Sequence, residues 1–136
     1  GCAVSANTFV LAHHFSVRVG KDSGRLTLSA NNFCNSYMGG GLDKRPKEHK
    51  TPMGIDEGGG ILLQETSDIT ISGNNFGGLS TAAVWMEGKC QRLLVTSNIV
   101  TECGRKLEQG KPLIDLASAT ESIIKDNIIS ASSAAR

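Results

Sequence analysis

Ile69-Thr70-Ile71-Ser72-Gly73-Asn74-Asn75-Phe76 alternates apolar and polar residues, turns at a Gly-Asn step, and resumes on a large apolar residue. The pattern over 71–76 is apolar, any, small or polar, Asn, any, large apolar. It recurs as Val4-Ser5-Ala6-Asn7-Thr8-Phe9 and Leu28-Ser29-Ala30-Asn31-Asn32-Phe33. Two further copies are Val95-Thr96-Ser97-Asn98-Ile99-Val100 and Ile124-Lys125-Asp126-Asn127-Ile128-Ile129. The asparagines therefore stand at 7, 31, 74, 98 and 127, with spacings of 24, 43, 24 and 29 residues.

Alternation at period two marks a strand with one buried face. It extends backwards in four copies, where Cys2, Leu26, Ile69 and Leu93 stand two residues before the first apolar position. A second strand precedes each later copy: Phe15-Ser16-Val17-Arg18-Val19, Ile61-Leu62-Leu63-Gln64, Ala83-Val84-Trp85-Met86-Glu87 and Leu113-Ile114-Asp115-Leu116-Ala117. A third short strand follows each Asn. Such a unit cannot bury its own apolar face, but stacked copies can. At ~3.3 Å per residue, 24 residues make one coil of a solenoid. Leucine-rich repeats share the period but need a Leu-rich consensus and a helical segment. Asn tolerates left-handed backbone, which suits a tight turn between strands. Stacked at ~4.8 Å, its side chains can bond along a column.

The segment at 69–76 resembles the coil motif of right-handed parallel β-helix proteins of the pectin-lyase-like superfamily. The likeness covers roughly residues 2–130. It implies an all-β solenoid of about five coils and three parallel sheets. It also implies an inner ladder of Asn7, Asn31, Asn74, Asn98 and Asn127 at the turn between the second and third sheets. Phe9, Phe33 and Phe76 should stack inside, continued by Val100 and Ile129. Complete β-helices of this superfamily carry more coils and capped ends, so the chain is expected to be part of a longer protein. Uncapped ends expose strand edges, and end-to-end or edge self-association is expected from them.

Composition agrees with a narrow interior. Glycine accounts for 16 of 136 residues, well above the usual ~7%, while aromatic residues make up only 4%. A net charge of +1 with no basic stripe argues against a nucleic-acid partner. No apolar run reaches the ~18 residues of a membrane span, and the first residues lack a signal-peptide pattern. Cys2, Cys34, Cys90 and Cys103 form no CxxC pair. Cys2 takes a core-facing register position. Cys90 and Cys103 fall in turns where a thiol can be exposed, and a bridge between them is left open. His13-His14 matches no metal motif and reads as a turn pair. Neither a metal nor a cofactor is expected.

The 43-residue spacing holds an insertion over 38–60 within a single domain of residues 1–130; a frayed tail is expected over 131–136. The insertion carries Lys44, Arg45, Lys47, His49 and Lys50. It reads either as a solvated excursion or as a binding loop for an anionic glycan. Its Gly runs lack the Lys-Ser/Thr of a phosphate loop.

In pectin-lyase-like enzymes the substrate groove runs over the outside of the first sheet. By the likeness, that sheet is formed here by the four strands listed before the turns. With Val17, Val19, Ile61, Leu63, Val84, Met86, Ile114 and Leu116 inward, one outward column is Arg18, Leu62, Trp85 and Asp115, and its neighbour includes Gln64 and Glu87. Trp85, the only Trp, should stack on a sugar ring, or else pack under the insertion. Glu87 and Asp115 are the candidate catalytic carboxylates for glycoside hydrolysis, or else plain surface. Gln64 and Arg18 are candidate substrate-binding residues, Arg18 toward a uronate carboxylate. The polygalacturonase signatures Asp-Asp, Gly-His-Gly and Arg-Ile-Lys are absent, as is an aspartate cluster like the calcium site of pectate lyases. The expected function is carbohydrate interaction, as part of a secreted polysaccharide lyase or hydrolase-like protein, extracellular or periplasmic. The rival is a non-catalytic structural or surface-adhesion module.

Overall fold

A computed structural model describes residues 1–10, 12, 14–34 and 57–130. The expected tail over 131–136 and all of the insertion before residue 57 lie outside the described residues, as do its basic cluster and His13. The described strands are β1 (Cys2–Ser5), β2 (Thr8–Val10), β3 (Phe15–Val19), β4 (Gly24–Ser29), β5 (Asn32–Cys34), β6 (Gly59–Gln64), β7 (Ser67–Ser72), β8 (Asn75–Gly77), β9 (Val84–Glu87), β10 (Gln91–Thr96), β11 (Ile99–Thr101), β12 (Ile123–Lys125) and β13 (Ile128–Ser130). They form three parallel sheets, ordered β3-β6-β9, β1-β4-β7-β10-β12 and β2-β5-β8-β11-β13. Successive coils thus stack strand on strand, although only three of them supply a strand to the β3-β6-β9 sheet, and the chain is a parallel β-helix. The expected insertion ends early: Gly59 and Gly60 already belong to β6. A Cβ on Gly60 would run into the Ala83 carbonyl and the Phe76 ring, so only glycine fits between these coils.

The asparagine column bonds as one polarised ladder. Asn7, Asn31, Asn74 and Asn98 each donate their backbone N–H and an Nδ2 hydrogen to the Oδ1 of the next Asn, at 2.9–3.1 Å. From Asn31 onward, each Nδ2 also donates to a carbonyl of the preceding coil, at Val4, Leu28, Ile71 and Val95. The left-handed residue is not the Asn itself. It is the one before: Ala6, Ala30, Gly73, Ser97 and Asp126, with φ between 55° and 64°. That residue makes the corner, which leaves the Asn free to point inward and bond.

Beside the ladder, Phe9, Phe33 and Phe76 stack with centroids 4.9 and 4.7 Å apart and planes within 10°. Register continues this column into Val100 and Ile129. Val19, Ile61, Leu63, Val84, Ile114 and Leu116 are buried inward, as the alternation requires.

Three expectations need correction. The strand expected over 113–117 does not form; only Ile114 bridges to Val84. Asp115 Oδ1 accepts the Ala117 N–H at 3.2 Å, a local bond that competes with sheet pairing. Cys90 and Cys103 are buried, not exposed, because neighbouring coils stack over these turns. No disulfide joins Cys90 to Cys103. Cys2 keeps its register opposite Leu26, yet it is exposed at the first coil. Burial pushes the Cys103 thiol up to about 11. Alkylation near pH 8 should therefore label Cys2 quickly and Cys103 only after denaturation, as peptide mass mapping would read.

One column is charged. Register aligns Arg25, Asp68, Arg92 and Glu121, all with left-handed φ of 49–59°. Arg92 holds Asp68 by two bonds of 2.6 and 3.0 Å and approaches Glu121 at 3.8 Å. The Arg92 hydrogen bond holds the Asp68 carboxyl below its usual range. A depressed folded value means that the stabilisation is present above about pH 4 and is lost as pH falls through that value. Asp68→Asn should flatten this part of the acid limb of urea midpoints, with a difference that shrinks in concentrated salt.

Candidate functional site

Strands β3, β6 and β9 carry the candidate site on their outward face. Register sets Arg18 beside Leu62 and Leu62 beside Trp85, as the alternation implies. Leu62 is nonetheless buried, while Trp85 is half-buried and Arg18 exposed. One coil apart, Gln64 and Glu87 are also in register.

The polar side chains here are linked. Arg18 Nε donates to Gln64 Oε1, and Gln64 Nε2 donates to Glu87 Oε2 at 2.6 Å. The two ends of the Gln64 amide are therefore fixed in opposite roles, acceptor toward Arg18 and donor toward Glu87. The chain spans three coils and holds a carboxylate and a guanidinium in set positions.

Two hollows meet at Glu87. One, of about 400 Å³, is lined by His14, Phe15, Glu57, Trp85, Glu87 and Lys106, among others. The second, of about 360 Å³, is lined by Arg18, Lys21, Gln64, Glu65 and Glu87 with two glycines. Together they make a cleft bordered by an indole and by charges of both signs. In it, His14 Nδ1 lies 3.5 Å from Glu57 Oε2, and Lys21 Nζ lies 3.0 Å from Glu65 Oε2. The Glu65 hydrogen bond raises the Lys21 ammonium above its usual value.

Four of the five sequence candidates, Arg18, Gln64, Trp85 and Glu87, line these hollows. Asp115 lines neither. It lies on the next coil beside Trp85, two positions before the level of Glu87, with Oδ1 turned to its own backbone. The lining residues that the sequence did not single out include His14, Glu57 and Lys106. His14 stands just before β3 and Glu57 just before β6, so the start of each outward strand was the available signal. Lys106 arrives on the 102–112 excursion, and no periodicity marks it.

Among the described residues, no group of three His, Cys, Asp or Glu is placed to hold a metal ion, and no helix is long and apolar enough to cross a membrane. No curated protein and no solved structure matches the chain. The family described as the right-handed beta helix region matches residues 1–135; with its parallel coils and inner asparagine ladder, the chain belongs to that family.

Proposed function

We propose that the outward face of β3, β6 and β9 binds a polysaccharide along the cleft that runs past Trp85 and Glu87. The observation that carries this reading is the junction of two hollows at Glu87, with the only Trp on its rim. A half-buried indole offers an apolar face to a sugar ring, and the fixed Arg18–Gln64–Glu87 chain offers donors and acceptors to hydroxyls. The same reading puts the protein in the extracellular space or periplasm.

A lyase or hydrolase-like activity is the second reading, favoured by the place of Glu87 at the junction. In it Glu87 is the proton-transfer group and Asp115 its partner. Hydrolysis needs the two carboxyl groups about 5–9.5 Å apart across the scissile bond. Asp115, bonded to Ala117, would have to turn outward to serve.

Affinity electrophoresis against neutral and acidic polysaccharides, paired with reducing-end release, tests both. Trp85→Ala should weaken binding about tenfold or more, a loss of ~1.4 kcal/mol. Glu87→Gln should retain binding, and it should abolish any turnover. Unchanged binding by Trp85→Ala sinks the cleft reading. Turnover that survives Glu87→Gln sinks the catalytic one.

A further inference from the structure

A third hollow lies past the cleft, at the corner where β3 turns into β4, β6 into β7 and β9 into β10. It measures about 630 Å³ and is lined by Asp22, Glu65, Lys89, Gln91, Ser118 and Thr120, among others. Register sets Gln91 beside Ser67 on one neighbouring coil and Thr120 on the other, so the hollow spans stacked coils. Glu65 borders both this hollow and the one lined by Arg18 and Gln64, just as Glu87 borders the first two. The three therefore follow one another in the strand direction, from Trp85 past Glu87 and Glu65 to Lys89. Trp85 and Lys89 stand four residues apart, no more than about 14 Å of chain.

A glycine shapes the passage at Glu65. Gly88 turns the corner with φ of 72°, and a Cβ there would come within 2.5 Å of Glu65 Cγ. Without one, the Glu65 side chain lies over the corner, where Lys21 Nζ stands 3.0 Å from its Oε2. The carboxylate between the hollows is thus fixed and already paired.

Beyond it, the corner hollow gathers polar groups that the fold leaves unpaired. The Asp22 carboxylate, the Lys89 ammonium, the Gln91 amide and the Ser118 and Thr120 hydroxyls make no side-chain hydrogen bond or ion pair with another described residue. The carboxylate only accepts and the ammonium only donates, while the amide and the hydroxyls do both. A ligand hydroxyl also does both, so a sugar ring can satisfy every one of them. An anionic unit cannot, because Asp22 and Glu65 set two carboxylates around the single ammonium of Lys89. The volume lies within the range of small-ligand sites.

We propose that the corner hollow is a further subsite for the polysaccharide, taking neutral, hydroxyl-bearing units of a chain that follows the strands around the corner instead of running along the stack of coils. The proposal rests on the cleft reading above and adds to it a chain direction and a substrate class.

Calorimetric titration with neutral cello- and manno-oligosaccharides of increasing length tests this, with oligogalacturonides as the acidic comparison. Neutral oligomers long enough to pass Glu65 should bind about tenfold more tightly than short ones, as one or two added hydrogen bonds give. Added salt should leave that gain unchanged. Ser118→Trp, at an exposed turn, fills the hollow and should erase the gain while sparing the short oligomers. Lys89→Ala combined with Gln91→Ala adds no bulk and should do the same if that variant does not fold. Trp85→Ala should weaken long and short oligomers alike. A neutral affinity that does not rise with length, or a gain that survives the corner variants, overturns the corner subsite, while the Trp85→Ala loss leaves the cleft reading standing. A length gain confined to the acidic oligomers overturns the neutral class. Binding of no oligosaccharide, neutral or acidic, overturns the cleft reading and the corner subsite with it.

Discussion

Asn74→Ala should cost roughly 3–5 kcal/mol of unfolding free energy, a large share of the ~5–15 kcal/mol that holds a typical domain. Asn74 is fully buried, and its side chain works in both directions. Oδ1 accepts the N–H and Nδ2 of Asn31 at 2.9 and 3.0 Å, while Nδ2 donates to Leu28 O and Asn98 Oδ1, both at 3.0 Å. Alanine removes all four bonds and leaves two Asn31 donors without an acceptor. Each orphaned buried group costs ~1–3 kcal/mol, more than the bond itself was worth. Asn74→Asp keeps the shape but sets a second acceptor against Leu28 O and Asn98 Oδ1, so it should be at least as costly at neutral pH. Asn127→Ala, at a half-buried rung, should cost less than Asn74→Ala, since the bonds it removes are only part-buried. Urea unfolding followed by far-UV circular dichroism checks the order. A loss below ~1 kcal/mol for Asn74→Ala would show that water replaces the rung without penalty.

The fold was legible because a solenoid repeats its constraints. Every coil must offer an inward Asn and a large inward residue at the same place, so those residues recur in register even where the spacing changes. Trp85 was legible for the same reason: alternation between Val84 and Met86 leaves it one direction to point. Features that depend on neighbouring coils were not. Ala6, Ala30, Ser97 and Asp126 share a left-handed φ but no chemistry, and only Gly73 announces it. Burial of Cys90 and Cys103 comes from coils above and below, which a turn sequence does not display. The charged column lay one residue before Leu26, Ile69 and Leu93, visible only once the strands were aligned. The 113–117 segment has the right alternation, yet the Asp115–Ala117 bond wins locally over the sheet. In the cleft, the linked Arg18, Gln64 and Glu87 followed from alternation and coil spacing. His14, Glu57 and Lys106 come from segments outside the repeat.

Phe33→Ala should be about as damaging as Asn74→Ala, by a different route. Phe33 is fully buried and lies between the rings of Phe9 and Phe76, so the column passes through it. Removing a buried ring costs ~3–5 kcal/mol in lost transfer energy and in the cavity left behind. Each lost ring pair adds ~0.5–1.5 kcal/mol. Collapse cannot offset much of this, because hydrogen bonds of the ladder and sheets hold the coil spacing on both sides. Phe33→Leu fills most of the space and should cost under ~1.5 kcal/mol. Phe9→Ala, at the half-buried end of the column, should fall between the two. The void in Phe33→Ala is apolar and dry, so benzene should bind there and raise the melting temperature of this variant but not of the wild type. Benzene without effect, together with a small stability loss, would mean that the coils close over the gap. The rigid spacing imposed by the asparagine ladder would then not be what sets the dimensions of the core.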